Sequence, residues 1–167
     1  GRTVVVGGGG PGGIEAARVL AIRGFAVTLF EKGEKLGGQL VFAKNAIDQE
    51  NMENFADYGT EILHKLGVDV RLNTEATAES IRALTPYAVF LATGANGFKL
   101  KVPGYDLPHV YTAEEYLSGM VELKGKRIAV VGGGITGCET AALAASKGNQ
   151  AVLVEMLPSV CNNIYND

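Results

Sequence analysis

Short uncharged runs alternate with longer stretches of helical periodicity along most of the chain. Thr3, Val4, Val5, Val6 and Gly7 carry no charge and are mostly β-branched, the composition of a strand buried on both faces. Residues 12–23 then follow helical spacing, with Ile14, Ala17, Val19, Leu20 and Ala21 as a small apolar surface. Gly24 ends that helix and residues 26–31 form a second strand. Residues 32–39 read as a glycine-rich loop and 40–46 as a short helix or irregular approach. An amphipathic helix is predicted over 53–66, with Phe55, Tyr58, Ile62, Leu63 and Leu66 inward and Gly67 as its stop. A strand over 68–72, a helix over 77–84 and a buried strand over 87–92 follow. Pro103 and Gly104 mark a turn within the 96–109 loop. Thr112 and Glu115 have the spacing of a capping box ahead of a helix at 113–117, and 118–125 is the best linker. A strand over 126–131, a helix over 137–147 and a strand over 150–155 end the pattern. Strands alternating with helices predict an α/β fold built on parallel sheet.

The junction between the first strand and the first helix holds Gly8, Gly10 and Gly13, the G-x-G-x-x-G spacing of a dinucleotide turn. The first glycine permits a tight exit from the strand, the second lets the backbone approach a pyrophosphate, and the third lets the helix pack closely. The helix N-terminus offers unpaired N–H groups and partial positive charge to the phosphates. Glu31 ends the second strand 23 residues after Gly8, where a carboxylate can accept from ribose hydroxyls. The competing reading is a glycine-rich turn that binds nothing. The pattern returns as Gly132, Gly134 and Gly137, with Glu155 again 23 residues after the first glycine. Gly8 and Gly132 are 124 residues apart, too far for a solenoid period and suited to a duplicated nucleotide-binding unit. Residues 1–120 are expected to form one nucleotide domain and 121–167 the start of a second. Glu155 would repel a 2′-phosphate and is followed by Met156, Leu157 and Pro158 rather than by a basic residue, which favours NADH over NADPH.

Composition narrows the partners. Hydrophobic residues make up 47% of the 167, enough for a true core. The net charge of -3 and the lack of any basic block disfavour nucleic acid. No apolar run reaches about 18 residues, so no membrane span is expected. The chain enters a strand almost at once and its last residues do not complete a sheet. The expectation is therefore a fragment of a larger protein without a signal peptide, and the two cysteines with no CxxC make a reducing, cytoplasmic setting the default. Cys138 and Cys161 form no CxxC, which disfavours disulfide reduction by this chain. Cys138 reads as a small buried residue against the sheet and Cys161 as a bystander in a polar tail. His64 and His109 are far apart and suggest no metal site, and Asp57, Glu61 and Lys65 form a solvated helical face. No side chain is expected to act as a catalytic acid, base or nucleophile.

Taken together, Gly8-Gly9-Gly10-Pro11-Gly12-Gly13-Ile14-Glu15-Ala16-Ala17, Phe30-Glu31-Lys32, Leu36-Gly37-Gly38-Gln39-Leu40 and Leu91-Ala92-Thr93-Gly94-Ala95 resemble a two-nucleotide flavoprotein of the pyridine-nucleotide-disulfide oxidoreductase type. Pro103-Gly104, Thr112-Ala113-Glu114-Glu115, Val131-Gly132-Gly133-Gly134 and Glu155-Met156-Leu157-Pro158 extend the likeness over essentially the whole chain. It is most similar to the C-terminal half of the NADH:flavin oxidoreductases related to 2,4-dienoyl-CoA reductase, trimethylamine dehydrogenase and enoate reductase. The resemblance implies a Rossmann-like, three-layer α/β fold with two dinucleotide-binding domains, the second incomplete here. It implies that Gly8, Gly10, Pro11, Gly12, Gly13 and Glu31 hold the ADP part of FAD, with Lys32 beside the adenosine ribose. Gly38 and Gln39 would lie on the path toward the isoalloxazine. Ala76, Thr77 and Ala78 would pass the adenine, and Ala92, Thr93 and Gly94 would close over the cofactor. Gly132, Gly134, Ile135, Thr136, Gly137 and Glu155 would hold NADH.

In such proteins a barrel bearing FMN and an iron–sulfur cluster precedes this region, and electrons run from NADH through FAD to that barrel. The sequence here contains neither the barrel nor a cysteine cluster. The implied function is hydride transfer from NADH to FAD, with electrons passed to an absent barrel or another acceptor protein, in a chain that could form a homo-oligomer. The alternatives are a non-catalytic ADP- or FAD-binding structural module, and a disulfide reductase whose redox cysteines lie elsewhere in the parent.

Overall fold

In the computed structural model, which describes residues 1–43, 45 and 52–162, β1 (Thr3–Gly7) is flanked on both sides by parallel strands. β2 (Ala26–Phe30) pairs along one edge of β1 and β4 (Ala88–Leu91) along the other, while β3 (Asp69–Arg71) lies outside β2. The order β3-β2-β1-β4 places successive crossovers on opposite sides of β1, so a crevice opens at the carboxyl end of that strand. Gly7 is in register with Phe30 on one side and Leu91 on the other, so the strands end level at this crevice.

Two helices form the layer that matters for the crevice. α1 (Pro11–Ile22) begins at the turn after β1 and buries Gly13, Ile14, Ala17 and Leu20. α3 (Met52–Lys65) packs on α1. Val4, Val6, Ile14, Leu29 and Leu63 are at the centre of the core. Leu63 faces inward as expected, but Phe55 and Tyr58 are 42% and 62% exposed, whereas Ala56 and Gly59 are buried in their place. The reason is the closeness of the two helices. A Cβ built on Gly59 would lie 2.6 Å from Ile14 Cγ2, so a small residue must face α1 here and the aromatics are turned outward.

β4 was also expected to be buried. Among the described residues it is an edge strand with no strand on its outer side, and Val89, Phe90 and Leu91 are exposed. α2 (Leu40–Ala43) is a single turn; the rest of the 40–46 expectation lies outside the described residues apart from Asn45. α4 (Ala78–Ala83) and α5 (Ala113–Leu117) both begin with complete capping boxes, Thr77 with Ser80 and Thr112 with Glu115.

The chain separates into two compact units. The first takes in Gly1–Ala43 and the stretch ending at Ala95, and the second the stretch beginning at Asn96. In the second unit β5 (Arg127–Val131) and β6 (Gln150–Val154) form a parallel pair, covered by α6 (Ile135–Ser146). Tyr116, Leu117, Leu143 and Ala144 form its core, and Leu123 and Ile128 pack against them. The expected division at 120/121 thus falls inside this unit. Among the described residues no helix is long and apolar enough to cross a membrane.

Candidate functional site

Of the five glycines in the turn from β1 into α1, the fold holds three, Gly8, Gly9 and Gly13, while a Cβ on Gly12 would meet nothing within 4 Å. Gly8 has φ +106°, and its N–H donates to Phe30 O at 2.8 Å. A Cβ there would overlap Ala92 O. A Cβ on Gly13 would overlap Gly8 O, so α1 can lie this close to the strand only without one. Gly9 is buried, and a Cβ on it would be 2.5 Å from Leu36 Cδ2. Gly10 is different. Its φ of -73° and ψ of -177° suit any residue, and a Cβ would meet nothing nearer than Gly38 Cα at 4.0 Å. Among the described residues no packing contact and no φ value calls for glycine at that position. The residue caps α1 without a side chain, beside first-turn N–H groups that helix geometry leaves without intrahelical acceptors. A group that approaches the backbone at Gly10 would use this space, and the helix N-terminus suits an anion.

Glu31 ties the turn to the following loop. Its Oε2 accepts from Gly9 N–H at 2.7 Å and its Oε1 from Gly33 N–H at 2.6 Å. Gly37 N–H donates to Gly9 O at 2.8 Å, which brings the loop back over the turn. Gly38, at φ +53°, rests on Gly10: a Cβ built on it would be 3.0 Å from Gly10 Cα. Gln39 Nε2 donates to Ala95 O at 2.7 Å, and Ala92 N–H to Gly7 O at 2.8 Å. Ala76 faces Gly7, where an added Cβ would be 3.2 Å from Ala76 Cβ. The structure therefore gathers Gly8 to Gly13, Glu31, Gly38, Gln39, Ala76, Ala92 and Thr93 around one crevice. Lys32, Ala78 and Gly94 are exposed. The Thr77 hydroxyl is engaged in capping α4, accepting from Ser80 N–H at 3.1 Å.

The turn from β5 into α6 repeats this arrangement. Gly132 has φ +106° and donates to Val154 O at 2.8 Å. Glu155 accepts from Gly133 N–H at 2.6 Å and from Leu157 N–H at 2.8 Å. These amides, Leu157 first, hold its carboxyl below the usual carboxylate range. A Cβ on Gly137 would overlap Gly132 O, whereas Gly134, at φ -71° and ψ -179°, has nothing within 4 Å of that position. Cys161 N–H donates to Gly133 O at 2.7 Å, closing the loop after β6 as Gly37 closes the loop after β2. Gly8, Gly9, Glu31, Gly33 and Gly37 each correspond to the residue 124 later, namely Gly132, Gly133, Glu155, Leu157 and Cys161. The duplication seen in glycine spacing thus extends to the hydrogen bonds. A cavity of about 440 Å³ opens here, lined by Gly133, Gly134, Ile135, Glu155, Leu157 and Cys161 among others. Thr136 is exposed at the head of α6, and its carbonyl accepts from Thr140 Oγ1 at 2.6 Å.

Two residues have roles that the sequence reading did not anticipate. Cys138 Sγ lies 3.3 Å from Cys161 Sγ, so the thiols are neighbours although 23 residues separate them. Cys138 is half-buried and faces the other thiol rather than only the sheet, and Cys161 is part of the turn rather than a bystander. The usable signal was the 124-residue offset, which superposes Cys161 on Gly37 in the loop of the first turn.

Comparison with known proteins agrees with this geometry. The family model described as pyridine nucleotide-disulphide oxidoreductase matches residues 2–167. The chain is 40% identical over 162 residues to an NADH oxidase of Thermoanaerobacter brockii, covering 95% of this chain and 25% of that protein. It is 42% identical over 159 residues to a bilirubin reductase of Mediterraneibacter gnavus, with the same coverage of 95% and 25%. Among solved structures, a 2-naphthoyl-CoA reductase superposes with a TM-score of 0.89 at 32% identity, over 98% of this chain and 24% of that one. Histamine dehydrogenase from Rhizobium sp. 4-9 gives 0.80 at 25% identity, over 96% and 26%. The chain spans about a quarter of the length of the curated relatives it matches.

Proposed function

The chain belongs to the pyridine nucleotide-disulphide oxidoreductase family, and on that premise we propose that it is the dinucleotide-binding part of an NADH-dependent flavoprotein oxidoreductase. The observation that carries this is the duplicated strand–turn–helix whose middle glycines, Gly10 and Gly134, meet no packing contact among the described residues. In this reading the first unit receives the ADP part of FAD. Gly8, Gly10, Pro11, Gly12 and Gly13 present α1 to the pyrophosphate, and Glu31 turns its remaining lone pairs to the ribose with Lys32 alongside. Ala76, Thr77 and Ala78 line the adenine side. Gly38, Gln39, Ala92, Thr93 and Gly94 form the walls leading toward the flavin ring. Residues 121–167 open the nicotinamide-nucleotide domain, in which Gly132, Gly134, Ile135, Thr136, Gly137 and Glu155 hold NADH.

When bound, FAD supplies hydride-accepting and electron-passing chemistry. The residues of this chain bind and orient, exclude water, and leave proton transfer to others. Glu155, held ionised by two backbone amides, accepts from a ribose 2′-hydroxyl and repels a 2′-phosphate, which favours NADH over NADPH. Electrons pass to a part of the parent protein outside this sequence. The resemblance to the NADH:flavin oxidoreductases implies a barrel bearing FMN and an iron–sulfur cluster as that part, and the match over only a quarter of each relative leaves room for it. The working setting is the cytoplasm, with neither membrane nor nucleic acid as partner, and a homo-oligomer is compatible with it.

The test is an absorbance spectrum of the purified protein, analysis of the nucleotide released on denaturation, and anaerobic addition of NADH. A released FAD whose visible band bleaches with NADH supports the reading. ADP alone, with no flavin, would replace it with a structural nucleotide module.

A further inference from the structure

We propose that Cys138 and Cys161 form a reversible dithiol–disulfide couple, closed by a hydroperoxide, at the turn between β5 and α6. Their sulfurs are 3.3 Å apart, and a disulfide requires about 2.05 Å, so closure calls for a shift on the order of 1 Å. The approach does not depend on two loose side chains. Cys161 is held by its N–H to Gly133 O at 2.7 Å, and Cys138 lies in the first turn of α6 with its N–H on Gly134 O at 3.0 Å. Both residues are half-buried and within reach of a small oxidant.

The duplicated turn gives an independent reason. Cys161 has φ +54°, a left-handed conformation that favours glycine, and the corresponding residue of the first turn is Gly37. The residue corresponding to Cys138 is Ile14. The first turn therefore performs the same backbone closure with no sulfur, and closure alone does not require Cys161. A side chain is carried there against the backbone preference, and it meets the second thiol of the described chain.

The chemistry balances with one hydroperoxide. One thiol, as its thiolate, attacks the O–O bond, forms a sulfenic acid and releases the alcohol, or water when the oxidant is hydrogen peroxide. The second thiol then attacks that sulfur, the S–S bond forms and a molecule of water leaves. Two thiols and one hydroperoxide give one disulfide, one alcohol and one water, and an added dithiol reverses the change. Because Cys161 lines the cavity beside Gly133 and Gly134, the bond fixes the loop after β6 to the head of α6.

The experiment treats the full chain with tert-butyl hydroperoxide, alkylates the remaining thiols and maps peptides without reduction. The expected result is loss of both alkylatable thiols and appearance of a peptide pair joined between Cys138 and Cys161 within one chain, both reversed by dithiothreitol. Cys161→Ser should give no cross-link and a sulfenic acid at Cys138 that dimedone traps. Cys161→Gly restores the residue type of the first turn, so it tests the same loss of cross-linking in a variant whose folding is favoured. Cysteines that stay alkylatable, or that cross-link only between chains, would overturn the proposal. The readout is a thiol count, so it stands or falls separately from nucleotide binding.

Discussion

Glu31 accepts the amide of Gly9 at 2.7 Å, and this bond joins the end of one strand to the turn that leaves its neighbour. The carboxylate also holds Gly33 at 2.6 Å, so two of its roughly four acceptor directions serve the fold. An acid at this position therefore has a structural reason as well as a nucleotide one. Glu155 repeats the arrangement, including the bond to a residue two positions on. The acids alone do not distinguish a binding turn from an idle one. What Gly10 and Gly134 add is open space among the described residues, which leaves the backbone of both turns accessible to a ligand.

Gly10→Ala is accordingly expected to cost no more than about 1 kcal/mol of stability, the loss of a favourable N-cap residue, while weakening dinucleotide binding at least tenfold. Gly13→Ala meets the Gly8 carbonyl instead, and should destabilise the first unit by roughly 1–3 kcal/mol or more. Urea unfolding and a nucleotide titration of both variants decide the matter. Equal loss of stability in the two would mean that the open space at Gly10 is not a ligand cradle.

Periodicity and glycine chemistry made the strands, helices and both turns legible in the sequence. The strand at Thr3–Gly7, the helix at Ala113–Leu117 and the Thr112–Glu115 capping box are where the residues indicate. The readings that depended on neighbours differed. Phe55 and Tyr58 outrank Ala56 and Gly59 in hydrophobicity, but the spacing of α3 against α1 favours the small residues. Val89, Phe90 and Leu91 have the composition of a central strand yet occupy an edge, because strand order is not written in any one strand. Cys138 and Cys161 were separated in sequence and brought together by the return of the loop after β6 to Gly133.

The α1–α3 contact offers a direct check on that correction. Gly59→Ala places a methyl group 2.6 Å from Ile14 Cγ2 and should cost about 1–3 kcal/mol. Ile14→Ala alone should cost about 2–5 kcal/mol through the cavity it leaves. Together they should cost less than the sum, since the added methyl enters space that Ile14 has vacated. Strict additivity in a double-mutant cycle by chemical denaturation would show that the two residues do not meet.

Acid should loosen the second turn through Glu155. Its folded-state pKa is lowered by the amides of Leu157 and Gly133, so the ionised form is favoured in the folded protein. The stabilisation is complete above the unfolded-state value, near pH 4.5, and is lost as pH falls through the lower folded value. Glu155→Gln removes that dependence. Stability profiles of parent and variant should converge as pH falls below about 4.5, and parallel profiles there would refute the assignment.

Asn149 anchors the end of α6 to the segment ahead of β5. It is 8% exposed; its Oδ1 accepts from Lys126 N–H at 3.0 Å, and its Nδ2 donates to Leu123 O at 2.9 Å and Ala144 O at 3.0 Å. Phe25, its counterpart 124 residues earlier, packs against the apolar core instead, so the second unit replaces a packing contact with a polar clasp. Asn149→Leu keeps the volume and loses all three bonds, and should destabilise this unit by about 1–3 kcal/mol. Asn149→Asp is the sharper test. A carboxylate can still accept from Lys126, but it faces two carbonyl oxygens with no proton to give them. The charged form is then disfavoured in the folded state and the folded pKa rises above the unfolded one. The variant should be least stable above that raised value and recover as pH falls through it, the opposite slope to that expected for Glu155. A variant that instead loses stability with acid in step with the parent would mean that the side-chain amide is not the donor to Leu123 and Ala144.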